Sequence, residues 1–160
     1  MAMNFNLVSK GFAAVFGTRN DRLIKAYGKR ADEVNALESE YRRKSDAELR
    51  ENTEKFREQV RGGTRVPEIL PHIMANAREA MDRAVGIRNI LDPDFGFDVN
   101  RLPVELQSTY KRLAQEAADR EPEPVKGGEP VPGRLLVDMP VELYQAVREV
   151  YPESRPPFRS

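Results

Sequence analysis

The sequence ILPHIMANAREAMDRAV, residues 69–85, is the most apolar helical stretch of this 160-residue chain. Its apolar side chains recur every three or four positions, which places them along one side of a helix. They are Ile69, Leu70, Ile73, Met74, Ala77, Ala80, Met81, Ala84 and Val85. Pro67, just before them, suits the first turn of a helix because that turn needs no backbone N–H donor there. We therefore predict a helix that packs at the centre of the fold.

Three amphipathic stretches precede this helix and predict a small helical bundle. The first runs from Phe5 to Phe16 and ends at Gly17, because glycine accepts the left-handed conformation that closes helices. The second covers residues 21–43. The third begins at the capping box Ser45-Asp46-Ala47-Glu48, whose Ser and Glu side chains each satisfy an exposed backbone amide, and ends at Gly62-Gly63.

The prolines divide the chain into two regions, 1–88 and 89–160. Ten of the twelve prolines lie in 89–160, which predicts a loop-rich segment with short helices near 103–119 and 141–151. Between these helices, EPEPVKGGEPVPG at 121–133 predicts a mobile linker, and 134–139 predicts a short buried strand or an extended segment.

The predicted fold is mainly α: a small bundle of N-terminal helices, then the loop-rich segment with at most one short strand. Because the elements of 89–160 are short, we expect them to dock as satellites on 1–88 and not to form a second independent core.

Composition and motifs exclude several classes of function. Basic and acidic residues number 26 each, which argues against a nucleic-acid-binding protein. The chain has no cysteine and one histidine, His72, so thiol chemistry, His-rich metal sites and a Ser-His-Asp triad are not expected. It contains neither of the glycine-rich phosphate-binding patterns G-x-x-x-x-G-K-[ST] and G-x-G-x-x-G. We predict no catalytic, cofactor-binding or metal-binding residues, and no enzymatic activity for this chain alone.

Acidic residues offer no catalytic pair either. Residues 92–98, DPDFGFD, resemble the start of a calcium loop but lack the later ligands, so we predict a turn with capping aspartates. The other carboxylates are expected on exposed helix faces. The longest uncharged apolar run, residues 11–17, is too short to span a bilayer, and no secretion signal is evident. These features predict a cytoplasmic protein.

Charge is concentrated at the N-terminal end. Residues 1–30 carry six basic residues and one acidic residue, next to the apolar stripe of 5–16. A basic amphipathic start of this kind indicates an anionic partner, either lipid or the acidic face of a protein. The alternative is a solvated helix face with ordinary ion pairs along it.

Six ordered blocks of sequence resemble SecA, the preprotein translocase motor of bacteria. They are FGTRNDR at 16–22, VNALE at 34–38, SDAEL at 45–49, TEKFR at 53–57, ILP at 69–71 with AREA at 77–80, and RAVGIR at 83–88. The resemblance covers about residues 12–88. It stops where the family continues into its adenine-reading glutamine motif and phosphate loop, because Arg88 is followed here by Asn89-Ile90-Leu91. Residues 89–160 therefore read as an insertion, without the nucleotide-binding motor.

The resemblance implies a role in protein export. In the family, ATP and Mg²⁺ drive preprotein transport, and the N-terminal helix is linked to acidic phospholipids and the SecYEG channel. Carried over to this chain, docking would fall to Phe5, Val8, Lys10, Phe12, Phe16, Arg19, Arg22 and Lys25. The implied partners are an anionic phospholipid surface, SecYEG and the rest of the motor, at the inner face of the plasma membrane. The alternative is an autonomous helical adaptor with no link to nucleotide.

Overall fold

A computed structural model of the protein describes residues 19–151, so the predicted helix of 1–17 lies outside the described residues. The described chain is mainly α, as predicted. Its α-helices are α1 (Arg19–Ala36), α2 (Glu38–Tyr41), α3 (Asp46–Arg61), α4 (Val66–Met81), α5 (Val104–Asp119) and α6 (Val141–Val150). A π-helical turn at Asp82–Gly86 and 3₁₀ turns at Ile87–Leu91, Pro93–Phe95, Val99–Arg101 and Gly133–Leu135 connect them.

Local signals in the sequence set most helix ends. The capping box at α3 forms as predicted: the Glu48 amide donates to Ser45 Oγ at 3.2 Å, and the Ser45 amide donates to Glu48 Oε2 at 2.6 Å. After α3, Gly63 adopts a φ of 98°, a conformation that favours glycine. The helix predicted over 21–43 is instead interrupted at Leu37, between α1 and α2.

Helix α4 is central to the N-terminal half, since it contacts α1, α2 and α3. Only part of its apolar stripe is covered, however. Ile69 and Ala75 are buried, whereas Met74 and Met81 are each about half exposed. The predicted central helix is therefore correct in its neighbours but wrong in its burial, because no helix of the described chain covers the groove beside Met74 and Met81.

The larger apolar core lies in the second half of the chain, which corrects the satellite prediction. It unites the turn Ile87–Leu91 with α5 and α6. Its buried members are Ile87, Ile90, Leu91, Leu102, Leu113, Ala117, Val137, Met139, Leu143, Tyr144, Ala146 and Val147. The core of the first half is smaller, with Tyr41, Leu49 and Ala75 buried. Helices α5 and α6 can form this core because each directs a mainly apolar face toward the turn Ile87–Leu91.

The segment between α5 and α6 differs from both predictions made for it. Within 121–133, Glu123 and Val131 exchange two backbone hydrogen bonds of 2.9 and 2.8 Å, so the predicted linker forms a closed loop. The short buried strand or extended segment predicted over 134–139 begins instead with a 3₁₀ turn; Val137 is buried as expected, and Met139 is buried as well. The capped turn at 92–98 is confirmed, with Asp92 accepting from the Asp94 amide at 3.1 Å.

Candidate functional site

The basic residues predicted to dock on a partner lie on the first two turns of α1. Arg19, Arg22 and Lys25 follow one another at three-residue intervals, so they lie along one side of the helix. Every residue from Arg19 to Asp32 is exposed. The helix therefore presents a continuous basic strip, which Lys29 extends by one more turn. The remaining predicted docking residues, Phe5, Val8, Lys10, Phe12 and Phe16, lie outside the described residues.

The opposite side of α1 carries exposed apolar residues. Leu23, Ile24 and Tyr27 are 43%, 59% and 69% exposed. Together with Ala31 and Val34 they form what we term the α1 apolar face. The sequence predicts this stripe from its spacing, but does not show that Leu23, Ile24 and Tyr27 stay exposed.

Two apolar grooves flank α4. One, of about 430 Å³, lies between α1 and α4 and continues the α1 apolar face; Ala31, Val34, Met74, Ala77 and Met81 line it. The other, of about 610 Å³, lies between α3 and α4 and has Phe56, Val60, Ile73, Ala77 and Ala80 in its walls. The apolar stripe of α4 thus faces two surface grooves.

Six charged side chains form a buried cluster that connects α3, the end of α4 and α6. Asp46, at the start of α3, accepts from Arg83 Nη1 at 2.8 Å and from Arg88 Nη2 at 2.5 Å. On the far side of Arg83, Glu79 accepts from its Nε at 2.8 Å and from Arg148 Nη2 at 2.5 Å. Asp82 is the sixth member, 3.2 Å from Arg148. All six residues are at most 8% exposed.

Tyr144 of α6 closes the cluster. Its hydroxyl donates to Asp46 Oδ2 at 2.9 Å and accepts from Arg88 Nε at 2.7 Å. The guanidinium of Arg83 lies over the face of its ring, 4.3 Å from the centroid, where a cation is attracted by the ring electrons. The positive charges of three arginines therefore compensate the negative charges of three carboxylates around the ring of Tyr144.

The cluster holds Asp46 and Glu79 ionised. Burial alone would raise the pKa of Asp46, but the hydrogen bond from Arg83 and the charge of Arg88 outweigh it and leave the pKa below its ordinary value. Burial would likewise raise the pKa of Glu79, and the charge of Arg148 with the hydrogen bond from Arg83 lowers it instead. Burial raises the pKa of the Tyr144 phenol, which stays protonated.

These contacts indicate a structural role for the cluster. Each carboxylate already accepts from guanidinium groups, and neither Asp46 nor Glu79 is held protonated as a general acid would be. The prediction that the acidic residues lie on exposed helix faces is wrong for Asp46, Glu79 and Asp82. The i,i+4 spacing of Glu79 and Arg83 indicates a helical ion pair, but no sequence pattern shows that α6 covers it.

His72 lies at the edge of the small N-terminal core. It is half-buried, and its Nδ1 is 3.1 Å from the hydroxyl of Tyr41. Burial, with the charge of Glu40 as a lesser cause, raises the pKa of Tyr41 to about 12. The pair is a hydrogen-bonded contact between α2 and α4.

The glycine pairs do not fit a nucleotide phosphate. Gly62-Gly63 closes α3, and Gly127-Gly128 forms the tip of the 121–133 loop, so neither stands between a strand and a helix. Between residues 19 and 151, no group of three or more His, Cys, Asp or Glu side chains could hold a metal ion. None of the helices in that range has the length and hydropathy needed to cross a membrane.

Comparison with known proteins gives one consistent family. A sequence model of the SecA DEAD-like domain matches residues 12–92. The protein translocase subunit SecA 1 of Nitrosospira multiformis is 45% identical over 84 residues, which is 52% of this chain and 9% of that protein. The protein translocase subunit SecA of Polaromonas sp. is 38% identical over 96 residues, or 60% of this chain and 10% of that protein. In Cupriavidus metallidurans the corresponding subunit is 44% identical over 75 residues, or 47% and 8%.

The chain thus spans about a tenth of the length of the curated relatives it matches. No solved structure matches it. The matched range 12–92 includes α1 to α4 and the turn that follows them, whereas α5 and α6 lie beyond it.

Proposed function

Because the chain belongs to the SecA DEAD-like domain family, we propose that it supplies membrane docking and scaffold to a SecA-type protein translocase. Its partners in this role are an anionic phospholipid surface, the SecYEG channel and the rest of the SecA motor. It acts at the cytoplasmic face of the plasma membrane, as a peripheral protein. The chain itself does not hydrolyse ATP. The rest of the SecA motor would bind ATP together with Mg²⁺.

The observation that carries this proposal is the exposed basic strip of α1. Arg19, Arg22 and Lys25 lie on the exposed first turns of α1, directly after the apolar stripe of residues 5–16 in the sequence. Basic side chains near a charged leaflet contribute about 1 kcal/mol each, and the apolar stripe adds burial in the headgroup boundary. Neither contribution is large enough by itself, so binding should require both.

The buried cluster supports the scaffold part of the proposal. A docking element transmits force only if the body behind it is stiff, and the cluster ties α3, the end of α4 and α6 together through charged hydrogen bonds. Breaking one partner of such a pair is costly because it leaves a buried charge uncompensated. Helix α1 therefore packs on a unit that the buried cluster makes rigid.

Vesicle co-sedimentation of the full chain tests the docking role. We expect binding to phosphatidylglycerol–phosphatidylcholine vesicles, little binding to phosphatidylcholine alone, and release as salt shortens the Debye length from about 10 Å at 0.1 M to about 3 Å at 1 M. Phe12→Asp should abolish binding, and Lys10→Ala with Arg19→Ala should weaken it mainly at low salt. The charge-matched control is Lys111→Ala with Arg112→Ala on α5, which should bind like the unmodified chain.

Two outcomes would contradict docking to lipid. They are equal binding to neutral and anionic vesicles, and binding to neither. Either result would favour the autonomous adaptor, for which the apolar groove between α3 and α4 is a suitable protein-binding surface.

A further inference from the structure

The groove between α3 and α4, which we call the α3–α4 groove, has an apolar lining from both helices. Helix α3 supplies the larger side chains of Phe56 and Val60, and α4 supplies the small side chains of Ala77 and Ala80. Val60 is 41% exposed, and both alanines are exposed as well. Exposed apolar residues that form one continuous lining mark a contact surface.

Buried hydrogen bonds fix the spacing of the two helices that form the groove. The side-chain amide of Asn76 on α4 donates to the backbone carbonyl of Leu49 on α3 at 3.1 Å, and its oxygen accepts from the amide of Asn52 at 3.1 Å. Asn76 is itself 7% exposed. Where α3 ends, the short connection 62–65 leads directly into α4. The groove is therefore formed before a partner arrives, which lowers the entropic cost of binding.

The length of the groove suits a helix. Ile73 and Ala80, which both line it, are seven residues apart on α4, or about 10 Å along the helix axis. That distance corresponds to about two turns of a second helix. Side chains at i, i+4 and i+7 of such a helix lie on one side and can enter the groove together, while the small side chains of Ala77 and Ala80 allow its backbone to approach α4.

The charged residues that line the groove are both basic. Arg57 and Arg61 lie one turn apart on α3, and no acidic residue of the described chain lines the groove beside them. Arg57 forms an ion pair with Glu54, whereas Arg61 forms none within residues 19–151. In the groove between α1 and α4, by contrast, the charged lining residue Arg78 already pairs with Glu38. The α3–α4 groove is therefore complementary to an apolar partner that carries negative charge.

We infer that the α3–α4 groove binds an acidic amphipathic helix of a partner protein. The apolar side chains of that helix fill the groove, and its acidic residues pair with Arg57 and Arg61. The inference does not rest on the membrane role, because no residue that lines the groove belongs to the basic strip of α1.

Fluorescence anisotropy of a labelled peptide titrated with the full chain tests the proposal. The probe is an alanine-based helical peptide of about fifteen residues, with leucine at i, i+4 and i+7 and glutamate along one flank. One matched peptide replaces the glutamates by lysine, and another scatters the leucines around the helix. We expect the acidic peptide to bind at least about fivefold more tightly than the lysine peptide, and the scattered peptide not to bind saturably.

Variants of the chain locate the binding site. Arg61→Glu should weaken binding of the acidic peptide and strengthen binding of the lysine peptide, each by about three- to tenfold. Lys111→Glu on α5 makes the same change of charge outside the groove and should alter neither affinity. Val60→Asp should abolish binding, whereas Val66→Asp, at a valine of similar exposure that does not line the groove, should not. Circular dichroism confirms that each variant keeps its helix content.

Three results would overturn the inference. The first is absence of binding by the acidic peptide, or equal binding of all the peptides. The second is an equal effect of Arg61→Glu and Lys111→Glu. The third is a dimer of the unmodified chain, seen by sedimentation velocity, that Val60→Asp converts to a monomer, since a second copy would then occupy the groove.

Discussion

The hydroxyl of Tyr144 donates a hydrogen bond of 2.9 Å to the carboxylate of Asp46, although 98 positions separate the two residues. Asp46 belongs to the SecA-like part of the chain and Tyr144 to the part beyond it. The contact is buried, and Arg83 and Arg88 flank it. The two parts are therefore joined by a polar contact whose loss would leave a charge without its partner.

Arg83→Met should lower the free energy of unfolding by about 3–5 kcal/mol, because it leaves Asp46 and Glu79 buried with fewer partners. Urea denaturation followed by circular dichroism measures this. Arg50→Met is the matched control: its ion pair with Asp138 is exposed and should be worth less than about 1 kcal/mol. Similar losses for the two variants would show that burial of the cluster does not matter.

Stability should decline on acidification because of Asp46 and Glu79. Both pKa values are lowered in the folded protein, so the stabilisation they give is fully present above their unfolded values of about 4 and is lost as pH falls through the lower folded values. Urea midpoints measured from pH 7 downward should therefore change little until about pH 5 and then fall.

Asp46→Asn provides the comparison for this pH profile. The variant should be less stable at pH 7, and should lose less stability on acidification than the unmodified chain. Parallel profiles for the two proteins would mean that the acid loss arises from other carboxylates.

Gly133→Ala should destabilise the protein by about 1–3 kcal/mol through steric overlap. A Cβ at Gly133 would lie 2.3 Å from the carbonyl oxygen of Ala117 and 2.6 Å from that of Arg120, and backbone atoms cannot easily move away. Gly128→Ala is the control, since its Cβ would make an ordinary 3.7 Å contact with Val125. Thermal unfolding should separate the two variants by several degrees, and equal melting temperatures would contradict the close packing of the 133–135 turn on α5.

The chain should not bind ATP with micromolar affinity. Tight binding needs backbone amides and a lysine around the β- and γ-phosphates, and the sequence has no phosphate-binding loop to supply them. Isothermal titration calorimetry with and without Mg²⁺ measures this directly. A micromolar dissociation constant would contradict the proposal that the chain contributes docking without the motor chemistry.

Helix positions were predictable from sequence where a local signal existed. The capping box at Ser45, the glycines after α3 and Pro103 before α5 each act within a few residues, so they are readable without a fold. The interruption at Leu37 has no such signal. The π turn that follows α4 also has none, and its Asp82 and Arg83 contact Arg148 and Asp46, which are distant in sequence.

The core and the candidate site were harder to predict because they depend on contacts between residues that are distant in the sequence. A charged residue such as Arg148 is expected at a surface, and only the fold brings Glu79 and Asp82 to it. Conversely, the spacing of Leu23 and Tyr27 indicates a contact face but not which element covers it. Periodicity identifies the side of a helix that is apolar, and tertiary structure decides whether that side is buried.

The SecA match ends at residue 92, next to Ile90 and Leu91, which pack in the larger core with Leu113 and Leu143. The range that matches the family and the folding unit therefore end at different places. A recombination event that moved residues 12–92 alone would carry Ile87, Ile90 and Leu91 of that core without the other nine buried members and expose them. Selection can keep such a segment only together with residues that cover it, so the stretch from α5 to α6 is expected to vary in concert with the turn it covers and not as an independent module.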